Sequence, residues 1–167
     1  MAQWTDADLG NAFDDYTGVD VDRSFGYVYN GDDIDETVSG YGANPPRVGI
    51  DFFEGPFSDL NDGIDNDRDG VIDELDTLDN KKVVTERIGL SKFIHFTNAA
   101  PPGQDDPDTD VELYNYLTGK WGNGTALTYF GSGYNTASTD FSNYSFPGTT
   151  DPLKRGLWTE CSSNNKR

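Results

Sequence analysis

Oxygen-bearing side chains are concentrated between Asp65 and Asp76, in the segment DNDRDGVIDELD. Aspartates stand at its positions 1, 3, 5, 9 and 12, and a glycine stands at position 6. A twelve-residue calcium loop needs oxygen ligands at positions 1, 3 and 5, a glycine at 6 for a sharp turn, a backbone carbonyl at 7 and an acid at 12. The segment meets each requirement and therefore predicts a Ca²⁺ site.

When the segment is matched to the positions of the calcium loop, the predicted ligands are Asp65, Asp67, Asp69, the carbonyl of Val71, Asp73 and Asp76. Asp73 would bind directly or through water, and Ile72 would anchor the loop in the core. Because Asp-Gly pairs also mark ordinary turns, a solvated loop without metal is the alternative. Oxygen-only ligands argue against zinc, copper and iron. Two amphipathic helices do not flank the loop, so a sensor that opens on binding is not expected.

Two further groups of acids are candidates for additional metal. The first would converge if the N-terminal segment folds back, and it contains Asp6, Asp8, Asp14, Asp15 and Asp20, with Asp22 beside them. The second stands where a helix is predicted to begin and contains Asp105, Asp106, Asp108 and Asp110. Acids also favour helix N-termini through the helix dipole, so the second group has a purely structural alternative.

The composition indicates a mainly β fold with long ordered loops. Hydrophobic residues make up 34% and aromatic residues 13%, so rings should dominate the core, and 19 glycines with 8 prolines indicate many turns.

Alternating rings over 25–29, followed by Asn-Gly, predict a strand, and further strands are expected at about 48–53 and within 81–98. Thr109 and Glu112 form a capping box. We therefore expect a single domain over 1–167, β-sandwich-like or irregular, with one short helix at about 110–118.

The charge balance excludes several partners. Thirty acids oppose 12 bases, which gives a formal net charge of -18, so nucleic acid and anionic membrane surfaces are not expected to bind. No apolar run reaches the length of about 20 residues that a membrane span needs.

The one cysteine, Cys161, offers no internal disulfide or zinc site. His95, the only histidine, belongs to a strand pattern, and no catalytic residues are predicted.

Aromatic residues near the predicted helix suggest a second kind of site. Rings exposed on loops can stack against sugars, and four residues qualify as a carbohydrate platform: Tyr114, Trp121, Tyr129 and Tyr134. In a chain with few aliphatic residues, the same rings are also the natural core, and this is the favoured interpretation.

Several phrases occur in an order that resembles a known family: DADLGNAFDDYTGVDVDRSFGYVYNGDDIDE, YGANPPRVGIDFFEGP, YNYLTGKWGNGTALTYFGSGY, SFPGTTDP and WTE. Together they resemble a module of large secreted and cell-surface proteins of Bacteroidetes, many of which carry a type IX secretion sorting domain. The resemblance implies export, a multidomain parent and an extracellular setting with abundant calcium. It implies no reaction. Where such modules often read Gly-Cys-Asp, this chain has Gly18-Val19-Asp20, which leaves Cys161 without that partner.

These observations lead to one expected function and two alternatives. We expect a calcium-stabilised, non-catalytic structural or binding module, excised from a larger secreted or surface protein. The partners would be calcium and either polysaccharide or the other domains of the parent protein. A calcium-dependent carbohydrate-binding or adhesion module is the first alternative, and a fragment of a secreted hydrolase is the second.

Overall fold

The computed structural model describes residues 1–163 apart from Asp8, Thr37, 79–81 and 98–99, and it describes only the backbone of 76–78 and 82–84. This part of the chain contains seven short strands, one α-helix and a 3-10 turn at Cys161–Ser163. The elements are β1 (Asp15–Asp20), β2 (Phe25–Asn30), β3 (Ile34–Asp35), β4 (Gly42–Ala43), β5 (Arg47–Asp51), β6 (Leu75–Leu78), β7 (Lys82–Thr85) and α1 (Asp110–Leu117). The predicted mainly β fold with one short helix is confirmed, in its irregular form with small open sheets.

The largest sheet is antiparallel and has the strand order β1-β2-β5. Side chains alternate across a strand, so Phe25, Tyr27 and Tyr29 of β2 share one face. The turn before β2 is held by Asp20, whose carboxylate accepts a hydrogen bond from the Arg23 backbone N–H at 3.1 Å. The two other sheets are the pairs β3-β4 and β6-β7, and the second pair closes the end of the acidic loop.

Aromatic rings fill the main hydrophobic core, as the composition predicts. The buried members of this core are Tyr116, Trp121, Leu127, Tyr129, Phe146 and Trp158. The Trp121 indole N–H donates to the Gly133 carbonyl at 3.0 Å, and the Trp158 indole N–H donates to the Gly131 carbonyl at 3.1 Å. Burial of these large side chains therefore leaves neither indole donor unsatisfied.

The helix α1 carries the capping box that its sequence predicts. The Glu112 N–H donates to the Thr109 hydroxyl at 3.2 Å, and the Glu112 carboxylate accepts from the Thr109 N–H at 3.0 Å. Gly119 follows the helix with a φ of 74°, a conformation that glycine adopts without strain. The helix packs Tyr116 into the aromatic core and leaves Tyr114 exposed.

The outer edge of β1 is covered by loops from the C-terminal part of the chain. The Thr17 N–H donates to the Glu160 carboxylate at 2.6 Å, and the Val21 N–H donates to the Thr150 hydroxyl at 2.9 Å. Asp35, which is almost fully buried, similarly accepts the N–H groups of Asn11 and Tyr41. Several acids of this chain therefore satisfy backbone donors, and their abundance is not solely a matter of surface charge.

The segment after β7 departs from the sequence-based expectation. Residues 90–97 alternate as a strand would, but with the residues that the structure describes they form a single bridge, in which Phe93 pairs with Tyr144. The Phe93 N–H donates to the Asn143 carbonyl, and the Ser145 N–H donates to the Phe93 carbonyl, both at 2.9 Å. Among the described residues, no helix is long and apolar enough to cross a membrane.

Candidate metal centre

The acidic loop folds through a series of hydrogen bonds from its own backbone to its own carboxylates. Asp67 accepts from the Asp69 N–H at 3.2 Å, Asp69 accepts from the Val71 N–H at 2.8 Å, and Asp65 accepts from the Gly70 N–H at 3.0 Å. Gly70 has a φ of 101°, which only glycine adopts readily. The glycine predicted at position 6 therefore makes the sharp turn that the motif requires.

Two overlapping groups of carboxylates are close enough to hold a metal ion. Oxygens of Asp65, Asp67 and Glu86 lie within 4.8 Å of one another, and so do oxygens of Asp67, Asp69 and Glu74. Asp67 belongs to both groups. The expected metal-binding capacity of the loop is thus present in its geometry, although two of the five carboxylates are not those that the motif assigns.

Glu86 is the residue that sequence reasoning missed. It follows β7, is 3% exposed, and accepts the Asn66 N–H at 2.6 Å and the Glu74 N–H at 3.1 Å. Its carboxylate therefore connects the beginning and the end of the loop. No motif spacing could identify Glu86, because only the pairing of β6 with β7 returns the chain to the loop.

The electrostatics of the site favour a bound cation. Burial and the neighbouring carboxylates raise the pKa of Asp67, and burial with the same kind of repulsion raises the pKa of Glu74. Asp65 Oδ1 and Glu74 Oε2 are buried and accept no hydrogen bond from the described residues. Arg68, the basic residue within the loop, points its guanidinium at the Leu90 carbonyl and the Tyr144 hydroxyl instead. Buried carboxylate oxygens without donors are the oxygens that a hard cation would bind.

The remaining predicted ligands are distributed differently. Asp73 accepts the Gly63 N–H through both oxygens at 3.1 Å and does not join either group. Val71 lies on the exposed surface of the loop, and the side chain of Asp76 lies outside the described residues. Ile72 is 59% exposed, so the expected anchoring of the loop by this residue is wrong. The loop is held through Arg68 and Glu86.

Among the described residues, the acids of the second predicted site form no group of three close carboxylates. Asp8 lies outside the described residues, and Asp20 pairs with Arg23 at 2.6 Å. Asp14 accepts the Asn30 amide at 3.1 Å, while Asp6 lies near Asp106 and contributes, after burial, to the raised pKa of that acid. Asp15 is buried in β1. Within the part of the chain that the structure describes, none of these residues belongs to a group of carboxylates close enough to hold an ion.

The four aromatic residues considered for carbohydrate binding do not share a surface. Trp121 is 1% exposed and Tyr129 is 8% exposed, and both belong to the aromatic core. Tyr134 packs against that core, and Tyr114 is exposed on α1. The favoured interpretation of these rings as core is therefore confirmed for Trp121 and Tyr129, and the four cannot act as one platform.

His95 lies in the protein interior. It is 6% exposed, its Nδ1 lies 3.0 Å from the hydroxyl of the fully buried Ser145, and its ring packs against Trp121 and Phe146. His95 also belongs to the lining of a cavity of about 560 Å³, beside Phe93 and Phe96.

Comparison with known proteins adds no relative to this description. No family model, no curated protein and no solved structure matches the chain.

Proposed function

We propose that this chain is a calcium-stabilised structural or binding module of a secreted or cell-surface protein, without catalytic activity of its own. The observation that carries the proposal is the convergence of Asp65, Asp67, Asp69, Glu74 and Glu86 on overlapping positions. A cation at this position would neutralise carboxylates that repel one another, and it would join the acidic loop to the chain after β7.

Calcium fits these residues better than other common metals. Ca²⁺ accepts six to eight oxygen ligands in flexible geometry, whereas Mg²⁺ demands a near-octahedral shell and retains several waters. The five carboxylates are spread over a loop and a strand end, with two buried oxygens that lack donors. Neither set of carboxylates includes a cysteine or a histidine, which disfavours zinc and copper.

A stabilising role is favoured over a sensing role because of what surrounds the loop. The loop is followed by the β6-β7 pair and is not flanked by two helices that could reorient. Ion binding to the folded protein alone stabilises it by RT ln(1 + [Ca²⁺]/Kd), which is about 2.7 kcal/mol at a hundredfold excess over Kd. An extracellular setting suits such a site, because calcium there is abundant enough to fill even weak sites.

The proposal is tested by calorimetric titration of the chelator-stripped protein with CaCl₂ and with MgCl₂, with melting temperature measured in parallel. We expect calcium to bind more tightly than magnesium and to raise the melting temperature by about 5–10 °C at a hundredfold excess over Kd. Asp67→Asn removes the one carboxylate that the two overlapping sets share. It should weaken calcium binding at least about tenfold, or about 1.4 kcal/mol.

Asp22→Asn is the matched control, because Asp22 is an exposed acid outside both groups. It removes the same charge and should leave calcium affinity unchanged. The proposal fails if calcium produces neither heat nor a rise in melting temperature, or if Asp22→Asn weakens binding as much as Asp67→Asn does.

A further inference from the structure

One face of the β1-β2-β5 sheet presents a continuous set of aromatic rings, which we call the aromatic face: Tyr16, Phe25, Tyr27 and Tyr29. The ring centroids of Phe25 and Tyr27 are 6.2 Å apart, those of Tyr27 and Tyr29 are 6.0 Å apart, and those of Tyr16 and Tyr29 are 5.8 Å apart. The three rings of β2 are each partly exposed. This face is separate from the aromatic core and from the acidic loop.

Glycines in the neighbouring strands bring these rings close to the backbone of the sheet. A Cβ atom at Gly18 of β1 would collide with the Tyr27 ring, and one at Gly49 of β5 would collide with the Phe25 ring. The two rings therefore lie across the adjacent strands in opposite directions. The result is a broad aromatic surface that extends over all three strands.

The tyrosine hydroxyls distinguish this surface from an ordinary packed one. In the interior, the hydroxyls of Tyr116 and Tyr144 donate to the Asp105 and Leu90 carbonyls, at 2.8 and 2.7 Å, and that of Tyr129 donates to a carboxylate. By contrast, the three tyrosine hydroxyls of the aromatic face make no hydrogen bond to any residue that the structure describes. A hydroxyl that reaches solvent bonds to water, which a ligand can replace, so the hydroxyls of the partly exposed Tyr27 and Tyr29 are available to a polar ligand.

The charges around the face limit what that ligand can be. Arg47 and Asp51, both exposed, belong to the same face of β5, and Asp20 borders it on β1. The protein as a whole carries a formal net charge of -18, which repels nucleic acids, anionic glycans and anionic lipids. A neutral ligand rich in hydroxyl groups escapes this repulsion and can still bond to the phenol, guanidinium and carboxylate groups.

We propose that the aromatic face binds a neutral oligosaccharide. The C–H faces of sugar rings would pack on Tyr27 and Tyr29, and sugar hydroxyls would bond to the phenol oxygens, Arg47 and Asp51. A depression of about 520 Å³ lies beside these rings and is lined by Phe25, Tyr27, Val28, Tyr29, Arg47, Val48 and Gly49. This volume is in the range of small-ligand sites in proteins, roughly 300–1,000 Å³.

The test uses the full chain in calcium, with native gels containing soluble polysaccharides and with calorimetry for those that retard the protein. The neutral polymers are mixed-linkage β-glucan, xyloglucan, α-mannan and starch, and the anionic polymers are hyaluronan and carboxymethylcellulose, which stay soluble in calcium. We expect retardation by at least one neutral polymer and by neither anionic polymer. The double variant Tyr27→Ala/Tyr29→Ala should weaken binding at least about tenfold.

The conservative variant Tyr27→Phe/Tyr29→Phe keeps the rings and removes the hydroxyls, so a smaller but measurable loss is expected. Tyr114→Ala is the matched control, because Tyr114 is an exposed tyrosine on α1, and it should bind as the unaltered protein does. If the double alanine variant does not fold, the phenylalanine pair and Arg47→Ala carry the test. Each variant is also titrated with calcium, so that a failure of the face is distinguished from a failure of the metal site.

Three results would overturn the proposal. One is the absence of binding to every neutral polymer at millimolar sugar concentration. Another is glycan binding that the Tyr27 and Tyr29 variants leave unchanged, because the ligand would then lie elsewhere. The third is a preference for the anionic polymers, which would assign the face to a different class of ligand.

Discussion

Arg68 donates a hydrogen bond of 2.9 Å from its guanidinium to the backbone carbonyl of Leu90. The same nitrogen lies 2.8 Å from the Tyr144 hydroxyl, which itself donates to the Leu90 carbonyl at 2.7 Å. Tyr144 belongs to the smaller core cluster, together with Val19 and Val21. A side chain from the middle of the acidic loop is therefore fixed to the hydrophobic interior behind β1.

This arrangement predicts that Arg68 supports stability more strongly than other basic residues do. Arg68→Met should lower the free energy of unfolding by about 2–3 kcal/mol. It removes the hydrogen bonds that the charged, partly buried guanidinium donates to the Leu90 carbonyl and the Tyr144 hydroxyl. Arg23→Met is the control: Arg23 forms an exposed pair with Asp20, and such pairs contribute about 0–1 kcal/mol. Urea denaturation in calcium measures both. Equal effects of the two variants would contradict this role of Arg68.

The sequence motif and the structure assign different ligands to the candidate metal site. The motif assigns Asp73 as a ligand, whereas the structure brings Glu74 into the carboxylate group and hydrogen-bonds Asp73 to Gly63. Glu74→Gln should therefore raise the calcium Kd at least about tenfold, while Asp73→Asn should change it less. Calorimetric titration of the two variants decides between them. The reverse order would mean that the bound loop follows the motif.

Glu160 should be important for stability although it belongs to neither carboxylate group of the acidic loop. Its buried carboxylate accepts the Thr17 N–H on the edge of β1, so Glu160→Ala leaves a backbone donor of this sheet without its acceptor. We expect a loss of about 1.5–3 kcal/mol, and a smaller loss for Glu160→Gln, which retains an acceptor oxygen. Glu36→Ala, at an exposed acid, should be neutral in the same denaturation assay. A neutral Glu160→Ala would refute the edge-capping role.

The raised pKa values of two core tyrosines predict how the stability of the protein changes at alkaline pH. Burial raises the pKa of Tyr116 to about 12, and burial together with the hydrogen bond to Asp151 raises the pKa of Tyr129 to about 12. The folded state therefore binds more protons than the unfolded state between pH 10 and about 12. Over that window the free energy of unfolding must fall as the pH rises, and below pH 10 this stabilisation is fully present.

Melting temperature as a function of pH, followed together with tyrosinate absorbance, measures this effect. Tyr129→Phe removes one of the two tyrosines whose pKa is raised most, and it should make the decline with pH less steep. Tyr114→Phe, at an exposed tyrosine, should leave the slope as it is. A decline that begins well below pH 10 would show that other groups control alkaline stability.

Local patterns in the sequence determined the elements that depend on near neighbours. The capping box of Thr109 and Glu112 specifies the start of α1, because both partners lie within one helical turn. The alternating rings of β2 specify a strand because side chains alternate with a period of two. The sharp turn at Gly70 and the crowding of acids around it are likewise local, and they predict a loop whose carboxylates lie close enough to hold a metal ion.

Contacts between distant residues were decided only by the tertiary structure. Glu86 enters the carboxylate group because β7 pairs with β6, and Ile72 stays exposed because Arg68 and Glu86 hold the loop. Trp121 and Tyr129 become core because they form one cluster with Phe146 and Trp158 from later in the chain, while the rings of β2 remain partly exposed. Neighbours along the chain can specify a turn, a cap or a strand, but which side chains are buried together depends on the packing of the whole chain.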